Sequence, residues 1–270
     1  PDHQLTAEQC LQRLTVHTLD GLDIKPMYRA DDVPGPLGHP GVVPFTRGTT
    51  VRNGEMDAWD VRALHEDPDP AFTRKAVLTD LERGVTSVWL RVDPDAVQPD
   101  DLADDLADVL LDMAKVEVSS RYDQQRAAEA LLAVYEGSDK AKEDLQLNLG
   151  IDPLGFAALH GGPADLSGLA GWVRRLDGYT KSRAITVDAT IYHNAGAGDV
   201  AELAWALATG TEYVRALIEQ GVSADEAFDA INFRVTATHD EFLTIARLRA
   251  LRTCWARVGE VFGVAEEQIG

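Results

Sequence analysis

Between residues 59 and 262 the chain switches six times from a short apolar or β-branched run to a stretch of helical period. No other feature constrains the fold as much. A strand followed by a helix cannot return through a tight hairpin. It must cross over, which makes successive strands parallel and covers the sheet with helices. The expected strands are residues 59–65, 85–92, 115–119, 144–149, 184–191 and 233–237. The expected helices are residues 71–83, 100–113, 123–135, 166–176, 199–220 and 241–262. Gly84 and Gly221 stop two of them, as glycine does where a chain leaves a helix. Leu102, Leu106, Val109 and Leu110 share one face of the second, whose acidic start suits the positive end of a helix dipole.

Two architectures satisfy this pattern: an open doubly wound sheet and a (β/α) barrel. No Gly-x-Gly-x-x-Gly follows the first strand, which weakens a dinucleotide fold. Six units are fewer than the eight that close a barrel. Either the polypeptide continues beyond Gly270, or a partner supplies the missing wall, or the sheet stays open.

Residues 1–58 read differently. Thr6 and Gln9 have capping-box spacing ahead of a short helical stretch carrying Leu11 and Leu14. Asp20-Gly21 is a turn signal, and residues 24–28 are expected to be extended. Pro34, Gly35, Pro36, Gly38, Pro40, Gly41 and Pro44 then exclude regular structure. Tyr28, Val42, Val43 and Phe45 make this segment an arm that packs on something, since disordered linkers are poor in such residues. The expected organisation is an N-terminal arm and Pro/Gly-rich loop over 1–58, and an α/β barrel domain over 59–270.

Charge and composition narrow the function. The chain carries 25 basic and 45 acidic residues, a net charge of −20. That argues against nucleic acid, whose phosphates need clustered Lys and Arg. An anionic ligand needs a local basic pocket against this field. No apolar run reaches about 18 residues, so no membrane span is expected. Residues 1–10 lack a signal-peptide pattern. Cys10 and Cys254 lack redox or metal spacing and read as two reduced thiols. A cytoplasmic protein fits. No phosphate-binding loop, Gly-x-Ser-x-Gly or paired Cys-x-x-Cys is present. His65, His160 and His239 are isolated, so no metal site is expected. On the last helix Arg247, Arg249, Arg252 and Arg257 form a basic side opposite Leu243, Ala246, Ala250, Cys254 and Val258. That side is either solvated or an interface with an acidic partner.

Two motifs go further. Residues 43–48 read Val-Pro-Phe-Thr-Arg-Gly, and residues 189–199 read Ala-Thr-Ile-Tyr-His-Asn-Ala-Gly-Ala-Gly-Asp. The first resembles the entry loop of the methylmalonyl-CoA mutase family, which precedes the first barrel strand. The second resembles that family's Tyr-His strand end and the helix that follows. The resemblance implies a TIM-type (β/α) barrel, incomplete here at six βα units, with an extended N-terminal arm.

It also implies a chemistry, and the residues depart from it. Active members isomerise an acyl-CoA by a radical route started by adenosylcobalamin, the cofactor supplying the hard step. After Thr46-Arg47-Gly48 their entry loop aligns with this chain without a gap, anchored by Trp59 and Arg62. At their substrate-binding positions a Tyr is here Thr50, a Met is Asn53, an Arg is Asp57, and the Tyr of the first strand is Leu64. Arg→Asp inverts the charge where an anion would be held. Tyr192 and His193 are retained at the end of the fifth strand, where the His of active members donates to the thioester carbonyl. Arg47 and Arg62 are the candidate substrate-binding residues. No Asp-x-His-x-x-Gly occurs, so no cobalamin domain is expected in these residues. Asp152-Pro153-Leu154-Gly155 resembles a loop of the family's small, non-catalytic (β) subunit.

The resemblance therefore implies a subunit that associates with and stabilises the catalytic large subunit in a heterodimer. Met27, Tyr28, Val42, Val43 and Phe45, with Arg47, are the expected partner contacts. This chain would bind no cofactor itself, adenosylcobalamin belonging to the complex, and binding of acyl-CoA stays open. The alternative is a catalytic acyl-CoA mutase subunit of altered specificity. It would use Tyr192 and His193, with cobalamin on a separate chain.

Overall fold

The computed structural model describes residues 5–33, 35–51, 59–266 and 269. The arm begins with helix α1 (Ala7–Leu14). Its capping box forms as the spacing predicts: Gln9 N–H donates to Thr6 Oγ1, and Thr6 N–H donates to Gln9 Oε1. Strands β1 (Val16–His17) and β2 (Asp23–Ile24) pair antiparallel. Their turn is closed by Leu22 N–H on Thr18 Oγ1, with Gly21 at φ +78°.

The six-fold alternation produces a curled parallel sheet in sequential order: β3 (Arg62–His65), β4 (Ser87–Arg91), β5 (Lys115–Ser119), β6 (Leu147–Ile151), β7 (Arg183–Asp188) and β8 (Ile231–Arg234). The connecting helices are α2 (Pro70–Glu82), α3 (Leu102–Asp105), α4 (Gln124–Glu136), α5 (Pro153–His160), α6 (Leu169–Arg175), α7 (Thr190–Asn194), α8 (Asp199–Glu219), α9 (Ala224–Asp229) and α10 (Glu241–Phe262). This is the α/β class and the incomplete TIM-type barrel that the sequence implied.

The two faces of the sheet differ. Val88, Leu90, Val116, Val118, Leu147, Leu149, Ile185 and Val187 alternate onto the outer face and are buried under the helices. Ala128, Leu131 and Leu132 of α4 and Tyr213, Val214 and Leu217 of α8 close that core. Each fully buried Leu there stabilises the fold by about 1.5–3 kcal/mol. The other face carries Trp89, Arg91, Glu117, Asn148, Thr186, Asp188 and Arg234, so the concave interior of the half-barrel is polar.

Several elements differ from expectation for local reasons. The helix expected over 100–113 shrinks to α3 behind a 3-10 turn, Pro99–Asp101. Five aspartates between positions 100 and 108 give this stretch low helix propensity and like-charge crowding. Leu110 and Met113 consequently end up exposed. Asp152-Pro153-Leu154-Gly155, which resembles a family loop, starts α5, with Asp152 as N-cap, its carboxylate accepting from Gly155 N–H, and Pro153 at the first helical position. Strand β6 runs to Ile151 through an irregularity at Gly150, where φ is +66°. A Cβ there would meet Val118 O at 2.0 Å, so only glycine fits.

The basic side of the last helix is also reassigned. Arg247, Leu251, Ala256 and Gly259 are its buried residues, whereas Ala246 and Cys254 are exposed. Arg247 turns inward because Asp199 and Glu202 are there to pair with it. Arg252 donates to the carbonyls of Phe45 and Thr46 at 3.1 and 3.3 Å, pinning the entry loop. Phe45, at φ +57°, is buried in this chain's own core.

Candidate functional site at the mouth of the half-barrel

The carboxyl ends of the strands surround a cavity of about 580 Å³. In parallel α/β folds this rim is where ligands and catalytic groups gather, because the βα loops open there. Leu64, Trp89, Phe156, Leu159 and Ile191 supply apolar surface to it. Arg91, Arg121, Arg234, Asp152 and Asp188 supply charge.

Most of that charge is already used. Glu117, buried on β5, takes Arg62 of β3 on one carboxylate oxygen and Arg234 of β8 on the other. Asn148 Nδ2 adds a third donor at 3.1 Å. Arg234 also bonds Asp188 at 2.7 Å, and its guanidinium lies 3.9 Å over the Trp89 ring. Trp89 Nε1–H donates to Ser119 Oγ at 2.8 Å. Arg91 is ringed by Glu66, Asp93 and Asp95, all within 2.9 Å.

Asp152 anchors the wall. Tyr213 OH donates to it at 2.5 Å, Gly155 and Asp188 N–H each at 3.0 Å, and Gln124 holds its backbone. Burial pushes this carboxyl up to about 6 against those hydrogen bonds. Both of its oxygens thus accept hydrogen bonds from the protein.

The retained pair is placed differently from the reading above. Strand β7 stops at Asp188, because its carboxylate accepts from both Thr190 N–H and Thr190 OH and turns the chain into α7. Tyr192 and His193 thus lie on a short helix, not at a strand end. Tyr192 stacks on Trp205 with ring centroids 5.4 Å apart. Burial raises its phenol above the usual range, opposed by a hydrogen bond with Thr209. His193 Nδ1 is 3.7 Å from Glu202 Oε2, in a cluster where Glu202 also holds Arg247 and Thr236 N–H. Neither side chain lines the mouth; Ile191, Asn194 and Ala195 of the same segment do.

Arg62 sits one layer below Leu64 and spends its guanidinium on Ser87 and Glu117. Arg47 is exposed on the entry loop. Neither belongs to the cavity lining. Of the four departures from the active pattern, Leu64 lines the mouth and Thr50 is exposed, while Asn53 and Asp57 lie outside the described residues. Among the arm residues Met27, Tyr28 and Val42 are exposed, Val43 is half-buried against the core, and Phe45 is buried. Sequence reasoning missed Glu117, Asp188 and Arg234. One signal was available: in Lys-Val-Glu-Val-Ser a glutamate alternates with valines, which a strand buried on both faces tolerates only where cations wait on the glutamate's side.

The donor set does not fit a cobalt cofactor. No imidazole is among the described residues lining the mouth, and no group of three or more His, Cys, Asp or Glu among the described residues could hold a metal ion. Among the described residues no helix is long and apolar enough to cross a membrane.

Comparison with known proteins agrees with the motifs. The family described as Methylmalonyl-CoA mutase matches residues 17–132 and 175–269. The Methylmalonyl-CoA mutase small subunit of Propionibacterium freudenreichii subsp. shermanii is 71% identical over 271 residues, covering 100% of this chain and 42% of that protein. The Methylmalonyl-CoA mutase small subunit of Streptomyces virginiae is 43% identical over 247 residues, covering 91% of this chain and 40% of that protein. The Probable methylmalonyl-CoA mutase small subunit of Mycobacterium bovis is 37% identical over 254 residues, covering 93% and 41%. The chain thus spans about two-fifths of the length of these relatives. It belongs to the methylmalonyl-CoA mutase family, and within that family its likeness is to the small subunits.

Proposed function

We propose that this chain is the barrel portion of a non-catalytic subunit. It associates with, and stabilises, the catalytic large subunit of an adenosylcobalamin-dependent acyl-CoA mutase. The complex, not this chain, would hold the cofactor and interconvert methylmalonyl-CoA and succinyl-CoA. The cytoplasm suits such a pair, and both cysteines here are free.

One contrast supports the reading. The mouth, where a catalytic subunit would display unspent groups, has Arg91 and Arg234 paired with Glu66, Asp93, Asp95, Glu117 and Asp188, and Asp152 held by Tyr213. The arm, which a self-sufficient domain would fold away, leaves Leu11, Leu14, Val16, Leu19, Met27 and Tyr28 exposed. Exposed apolar surface of that extent is the mark of an interface. Met27, Tyr28 and Val42 are the contacts we assign to the partner. Phe45 and Val43 serve by holding the arm's root to the barrel.

Deleting residues 1–33, which removes Met27 and Tyr28 but spares the buried Phe45, and measuring association with the large subunit tests this directly. Association weakened by an order of magnitude or more supports the reading; unchanged association removes it.

A further inference from the structure

Two sequence signals that the proposed function leaves unused meet in space. Asp20-Gly21 forms the tip of the arm's hairpin, and Gly196-Ala197-Gly198-Asp199 leads into α8. Gly198 is the N-cap residue of that 21-residue helix. The Asp20 carboxylate packs directly against it: a Cβ on Gly198 would lie 2.4 Å from Asp20 Oδ1 and 2.7 Å from Oδ2. Gly198 has φ −73°, which any residue adopts, so the backbone does not require glycine here. The space a Cβ would take is filled by the Asp20 carboxylate. A carboxylate at the start of a long helix is also favoured by the helix dipole.

We propose that the hairpin is a strap, seated on the rim of the mouth by Asp20 against Gly198. The turn is built to present that carboxylate: Thr18 N–H donates to the Leu22 carbonyl, Leu22 N–H donates to Thr18 Oγ1, and Gly21 takes the positive φ. The rim segment it rests on continues into Asn194 and Ala195, which line the cavity. Past Gly198, Asp199 and Glu202 tie α8 to the buried Arg247 of α10. A partner that grips the arm therefore also acts on the rim, because one contact joins them. Coupling of this kind is reciprocal: whatever orders the rim strengthens the hold on the arm. This inference rests on the reading of the arm as the partner's docking element.

The test is amide hydrogen exchange on the full chain alone, comparing the parent protein with Asp20→Ala, Asp20→Asn and Gly198→Ala. Residues 16–24 and 194–200 should both exchange roughly fivefold faster in Asp20→Ala and Gly198→Ala, with strands β4 to β7 unchanged and Asp20→Asn intermediate. Unchanged exchange in both segments overturns the strap. If Gly198→Ala disturbs the core strands, the Asp20 variants alone decide. Because the large subunit is absent from this experiment, its failure leaves the arm-docking reading standing. Failure of the arm deletion to weaken association leaves the strap standing as an intrachain contact.

Discussion

Arg62 and Arg234 lie on the outermost strands of the six-stranded sheet, and both reach the buried carboxylate of Glu117. One side chain on β5 thus ties together the two strands that a closed barrel would join through further strands. The curl of the half-barrel has an interior tether as well as an apolar outer core.

Removing Glu117 should therefore cost more than an ordinary ion pair. Glu117→Gln leaves the Arg62 guanidinium without an anion and Arg234 with Asp188 alone. A loss of roughly 3–5 kcal/mol is expected, the range for breaking a buried pair. Replacing all three residues by apolar ones of similar volume should recover most of it. Urea denaturation midpoints of the single and triple variants check both claims. A Glu117→Gln loss below about 1 kcal/mol would mean that the tether contributes little.

Asp105 gives the chain an unusual pH dependence. Its carboxyl is buried, and Oδ1 has no hydrogen-bond partner among the described residues. Burial, then the neighbouring Asp101 and Asp104, push it up to about 7 from an ordinary 3.8. The folded chain holds this proton more tightly than the unfolded chain does. The contribution is thus fully favourable below about pH 4 and is lost as pH rises through 7. The shift sets an upper bound of about 4 kcal/mol, and local hydration reduces it. Asp105→Asn should raise stability at pH 8 by about 1–2 kcal/mol and flatten the profile between pH 5 and 8. Thermal unfolding across that range would show it; a variant profile parallel to the parent's would refute the assignment.

Phe45 and Met27 separate the arm's two duties. Phe45→Ala should cost about 3 kcal/mol of the chain's own stability, since it empties a buried site. Met27→Ala with Tyr28→Ala should leave stability within about 0.5 kcal/mol, because both side chains are exposed, while weakening binding to the large subunit. Unfolding of the isolated chain and titration against the large subunit measure the two effects separately. The reverse pattern would reassign the residues.

His193 decides between the non-catalytic reading and a catalytic one. Its ring is turned toward Glu202 rather than into the mouth. His193→Ala should leave turnover of the assembled complex within about twofold, as expected of a group that stabilises no transition state. A loss of a hundredfold or more with assembly intact would establish His193 as a catalytic residue and sink the proposed function.

Much of this molecule was written in local pattern. Six alternations between strand and helix period fix a parallel sheet covered by helices, because a crossover has few geometric solutions. Thr6 with Gln9, and Gly84 and Gly221, mark helix ends that the structure places where they stand. What local pattern could not supply was the effect of neighbours distant in sequence. Asp152, read as part of a loop, is buried at the start of a helix, where Tyr213, Gln124 and Asp188 converge on it. Arg247 is buried on a helix where arginine reads as solvated, because Asp199 and Glu202 arrive from α8. Glu117 sits among valines because two arginines, 55 and 117 positions away in the chain, meet it across the interior. Period and capping act over a few residues, and the sequence alone determined what depends on them. Desolvation and charge pairing act through space, and only the tertiary structure decided which charged groups the half-barrel could bury.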